Sequence, residues 1–94
     1  MALGGGSGKQ ASTLHVVLKA GDAHAHRTDL SWEGEFELQV SVGPVLRGRF
    51  LTMDFETLYR IAHRNDITLL IDGVGYELMS IDANVVFEAI ATGA

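Results

Sequence analysis

The stretch Leu30-Ser-Trp-Glu-Gly-Glu-Phe-Glu-Leu-Gln-Val-Ser-Val42 alternates with a period of two. Phe36, Leu38, Val40 and Val42 share one face, and Glu33, Glu35, Glu37, Gln39 and Ser41 share the other. A strand places successive side chains on opposite faces, so this pattern predicts a strand with one buried side. Gly34 interrupts the run and marks a candidate bulge. After Gly43-Pro44 the pattern resumes over Leu46 to Thr52. A three-residue loop, Gly43 to Val45, would pair Val42 with Leu46, Leu38 with Phe50 and Ser41 with Arg47. Every apolar residue then faces one way. A two-residue loop would set Val40 against Arg47 and is disfavoured on that ground. The three-residue register also puts Arg49 opposite Gln39 and diagonal to Glu37, within reach of an ion pair.

Working outward from this hairpin, Thr13 to Ala20 is a second alternating strand. Leu14, Val16 and Leu18 point one way, and His15, Val17 and Lys19 the other. On the C-terminal side, Phe55, Leu58, Tyr59 and Ala62 follow helical spacing and predict a helix over 54–64. Asp54 can cap its start, Glu56 suits its positive first turn, and His63 and Arg64 suit its negative end. Ile67 to Asp72 and Tyr76 to Ile81 read as a hairpin with Gly73-Val74 as its loop, which pairs Leu69 with Leu78. Its second face carries Leu70, Met79 and Ile81, so the hairpin is apolar on both faces. Asn84 to Ala91 is open between a strand, favoured by Val85, Val86 and Phe87, and a short helix between Asp82 and Gly93. The order β-β-β-α-β-β followed by β or α predicts an α+β domain. Its mostly antiparallel sheet of five or six strands would carry one main helix on one face.

The chain has 94 residues, 47% hydrophobic and 20% charged, which is one small globular domain and not a disordered chain. Residues 1–12 read as a flexible Gly/Ser-rich arm and residues 13–94 as the domain. Gly4 to Lys9 resembles a phosphate-binding loop. It fails, because Leu3 stands where the first glycine belongs, Gln10 stands where the hydroxyl residue belongs, and no strand precedes it. A net charge of -5 argues against nucleic acid and anionic membranes as partners. No apolar run reaches the length of a membrane span. No cysteine occurs, which excludes disulfides, thiolate zinc sites and cysteine nucleophiles. The expected location is cytoplasmic by default, although a mature secreted chain fits the same composition.

Few constellations suggest chemistry. His24 and His26, flanked by Asp22 and Asp29, would project to one side of an extended loop and form half of a zinc or similar transition-metal site, with His15 the nearest third donor. The same pair could titrate near neutral pH. Glu33, Glu35 and Glu37 form an acidic row, but Arg47 and Arg49 lie beside it and no pocket is implied. The Arg47-Gly48-Arg49 element is too small a basic footprint for DNA. A small enzyme with an acid–base residue such as Glu37 or His63 is a third reading that no feature selects, and no nucleophile signature occurs. Trp32 has the parity of a core residue.

The expectation from sequence is therefore a non-enzymatic interaction protein without a cofactor. Its partner would be another protein or a second copy, bound through Leu70, Met79 and Ile81 and extended by Phe87. A metal- or pH-sensing module built on His24 and His26 is the alternative.

Overall fold

The computed structural model describes residues 12–22 and 27–92. Six strands and one helix follow in chain order: β1 (Ser12–Asp22), β2 (Arg27–Val42), β3 (Val45–Phe50), α1 (Phe55–Ile61), β4 (Ile67–Ile71), β5 (Val74–Ile81) and β6 (Val86–Ala91). All pairings are antiparallel, in the order β1-β2-β3-β6-β5-β4, and β4 pairs back onto β1. The sheet is a closed barrel. This corrects the expected α+β sheet with a helix layer. A sheet that closes on itself buries its apolar face without a helix, and period-two alternation is the same in an open sheet and a barrel. The last segment is a strand, and its pairing with β3 joins two three-stranded meanders, β1-β2-β3 and β4-β5-β6.

The interior is filled by side chains. Val16, Leu18 and Ala20 come from β1, Phe36 from β2, Leu46 and Phe50 from β3, Ile67, Leu69 and Ile71 from β4, Leu78 from β5, and Phe87 and Ala89 from β6. Four aromatic rings form a column through it. Phe50 stacks on Phe87 at 4.3 Å, Phe36 meets Phe87 edge-on at 5.4 Å, and Trp32 meets Phe50 edge-on at 5.3 Å. Two inward glycines make room for the column. A Cβ on Gly48 would lie 2.6 Å from Phe36 Cδ2, and one on Gly34 would lie 2.5 Å from Trp32 Cη2. Gly34 is therefore a clearance site and not a bulge, for β1 and β2 run in continuous register past it. No polar or charged side chain is buried among the described residues.

Bulges fall elsewhere and reset the faces. Val42 pairs with Val45 and Val40 with Arg47, so the loop is the two-residue Gly43-Pro44 that the sequence disfavoured. Gly43 has φ +59 at the first loop position, which with proline at the second fits a type II′ turn. The parity conflict is absorbed by a bulge at Gln39, which turns Val40 and Val42 outward. Glu37 thus stands directly opposite Arg49 instead of diagonal to it. The β4–β5 hairpin also differs from expectation. Asp72 (φ 54) and Gly73 (φ 81) form its loop, the Asp-Gly type I′ turn, and Leu69 pairs with Tyr76. The shift is two residues, so the faces are kept.

The helix is shorter than predicted. Asp54 caps it, accepting from the Thr57 backbone N–H at 3.0 Å and the Thr57 hydroxyl at 2.6 Å. Leu58 and Ile61 are its buried residues. Two turns of helix close one mouth of the barrel and cover no sheet face.

Candidate functional site

The partner surface expected from sequence is not assembled. Leu70 (39% exposed) and Met79 (55%) do face outward, but on different strands. Glu77 and Thr68 form the pair between their levels. A bulge between Leu78 and Ser80 turns Ile81 inward, where it packs against the core. Phe87 is only 1% exposed and belongs to the aromatic column. Ile81 and Phe87 are therefore corrected from surface to interior, because one extra residue at Met79 reverses the alternation.

The metal reading falls largely outside the described residues, which omit both His24 and His26. His15, the third donor considered, holds Glu33 at 2.7 Å on the outer face. Among the described residues, no group of three metal-ligating side chains occurs. Two members of the acidic row of β2 are engaged, Glu33 by His15 and Glu37 by Arg49 at 3.4 Å, while Arg47 binds Glu88 at 3.0 Å. These are exposed or half-exposed pairs on an outward face. Glu37 is held by its arginine and His63 is exposed at the helix exit, so neither sits where a substrate would be enclosed.

The outer side of α1 holds two rings that helical spacing had joined to Leu58 and Ala62 in one stripe. Phe55 is 76% exposed and Tyr59 72% exposed, and their rings stack at 6.3 Å with an interplanar angle of 25°. The helix geometry explains the pairing. Residues four apart lie one above the other on one face. Because Leu58 and Ile61 enter the barrel mouth, positions 55 and 59 point away from it. The predicted stripe joined Leu58 to Phe55, Tyr59 and Ala62. The real buried stripe is the aliphatic pair Leu58 and Ile61. The signal that could have found this is volume: two short turns at a barrel mouth bury branched aliphatics, not two further large rings.

Beside the ring pair, Glu56 and Arg60 form an i, i+4 ion pair at 3.3 Å. Beyond Tyr59, a shallow open recess of about 520 Å³ is lined by Asp29, Leu30, Tyr59, Arg60, His63 and Arg64. Its charges compensate one another. Arg64 reaches Asp66 at 2.7 Å and Asp29 at 3.0 Å. The Arg64 hydrogen bonds hold the Asp66 carboxyl below its ordinary range, and the same contacts, that to Asp66 first, raise the arginine further. This cluster ties the helix exit to β2 and β4. Gly21 N–H donates to the Asp66 carbonyl at 3.3 Å and ties β1 to the same end.

A second apolar area lies at the opposite end of β3. Val42 (67% exposed) faces Val45, which faces Ile90, and Val40 lies next along β2. No described helix is long and apolar enough to cross a membrane. Comparison with protein-family models, curated proteins and solved structures finds no match for this chain.

Proposed function

We propose that the chain is a non-enzymatic interaction protein that binds another polypeptide through the outer face of α1. The observation that carries this reading is the stacked Phe55–Tyr59 pair, exposed on a helix whose opposite face already closes the barrel. Three further features support it. The interior is filled with apolar and aromatic side chains, which favours binding on the outside. The charged side chains around the recess are bound to one another and not aimed at a common point. Aromatic residues, tyrosine above all, are the side chains that anchor protein interfaces, whereas valine is under-represented among such anchors. That last point favours the helix over the Val40–Val42–Val45–Ile90 area at the far end.

The test is site-specific photo-crosslinking. A benzophenone amino acid placed at Phe55 should give crosslinked products in cells, and the same group at Leu70 should give none. Equal products at both positions, or none at either, would contradict the reading.

A further inference from the structure

Resting on that reading, we infer that the polypeptide seated on α1 is a second copy of this chain, bound through an antiparallel pairing of the two helices about a two-fold axis.

The outer face of α1 is self-complementary. In an antiparallel helix pair related by a two-fold axis, each flank of one helix meets the same flank of the other, with the order of residues reversed. Positions i and i+4 then exchange partners. On α1 one flank carries Phe55 and Tyr59, and the neighbouring flank carries Glu56 and Arg60. The pairing therefore sets each Phe55 against the other copy's Tyr59 and each Glu56 against the other copy's Arg60. A single helix thus presents rings to rings and opposite charges to opposite charges. The macrodipoles agree, because the positive first turn of one helix lies beside the negative last turn of the other. The surface is locally neutral through Glu56 and Arg60, although the chain as a whole carries -5. Two copies can therefore meet here without setting like charges face to face. At the outer end of β2 and β3 the ion pair beside Val40 and Val45 is Arg47–Glu88, which joins two strands and does not lie at i, i+4 on one helix, so the helix pairing has no counterpart there.

Size sets the strength. Four aromatic rings, each able to bury roughly 150–250 Å², supply only part of the ~1,200 Å² at which specific interfaces begin. The dimer is weak, and forms and separates readily.

The experiment is sedimentation equilibrium combined with amide NMR over a concentration series, on wild type, Glu56→Arg, Arg60→Glu and an equimolar mixture of the two variants. Wild type should associate, with amide shifts centred on residues 55–63. Each single variant sets like charges opposite each other and should weaken association about tenfold or more, with the barrel resonances unmoved. The mixture should recover association, because the flank with two arginines on one variant then meets the flank with two glutamates on the other. Each chain in the mixture still lacks its own intrahelical ion pair, so recovery reports the intermolecular contact alone. A wild type that stays monomeric at millimolar concentration would overturn the inference. So would single variants that associate as wild type does, or a mixture that fails to recover. Crosslinking separates the two readings. Products at Phe55 of twice the 10.1 kDa mass support the second copy. Products of another mass with a monomeric wild type leave α1 a binding surface but overturn the second copy as its occupant. No product at all removes the surface.

Discussion

The protein holds two aromatic clusters with opposite fates. Trp32, Phe36, Phe50 and Phe87 form a column inside the barrel, while Phe55 and Tyr59 stack in water on the helix that closes it. In both the rings touch. The difference lies in what stands opposite. Strand parity points the four inner residues at the other strands of a closed sheet. Helical spacing points Phe55 and Tyr59 at nothing, because the small mouth of the barrel is already filled by Leu58 and Ile61. Apolar spacing specifies which side chains travel together. The volume available to them decides whether they are buried.

The comparison predicts an ordered series of effects on stability. Phe87→Ala removes the ring on which Phe50 stacks and to which Phe36 points, and should cost about 3–5 kcal/mol in urea unfolding. A loss below about 1 kcal/mol would mean the column is not what holds the barrel.

Gly34→Ala is the next largest. The new methyl would sit 2.5 Å from Trp32 Cη2 and 3.1 Å from Thr52 Oγ1, so the indole must move off Phe50. Overpacking of this kind should cost about 1–3 kcal/mol, with a change in tryptophan fluorescence. An unchanged emission spectrum would contradict the clearance role.

Asp54 governs the outer cluster instead, because it fixes the helix that displays the rings. The Thr57 hydroxyl first, and then the Thr57 backbone N–H, hold its carboxyl below the ordinary value of 3.8. A carboxylate with a lowered folded-state pKa stabilises fully above its unfolded value, and the effect is lost as pH falls through the folded value. The cap is therefore complete at neutral pH and fails only below 3.8. The Thr57 amide shift, followed down from neutral pH, should have its midpoint below that value. A midpoint above it would show that the carboxylate is not the cap. Asp54→Ala should loosen residues 55–61 and leave the core resonances in place.

Much of this was legible from residues alone. The two faces of β1 match the alternation of Thr13 to Ala20, and β2 follows its predicted faces as far as Leu38. The position of the helix and its Asp54 cap were also readable. The errors have physical causes. Bulges at Gln39 and Met79 add one residue each and reverse the alternation beyond them, which moved Val40 and Val42 out and Ile81 in. Neither bulge is marked by a glycine. The glycine that invited a bulge, Gly34, is needed for the Trp32 ring. Closure was out of reach for another reason. It depends on β3 meeting β6 and β4 meeting β1, pairings distant in sequence that no local period encodes. The exposure of Phe55 and Tyr59 was hidden for a similar reason, since helical spacing joins them to Leu58 and Ala62 and says nothing of the space available at the barrel mouth.

The central claim is that Phe55 and Tyr59 belong to binding and not to the fold. The most direct measurement is urea unfolding of the Phe55→Ser/Tyr59→Ser double variant beside wild type, at about 1 µM protein, where a weak association adds nothing to stability. Serine has nearly the helix propensity of phenylalanine and tyrosine, so the backbone term cancels. The account predicts an unfolding free energy within about 0.5 kcal/mol of wild type, as for surface positions free of special features. A loss of about 2 kcal/mol or more would contradict it, because the rings would then be part of what holds the barrel together.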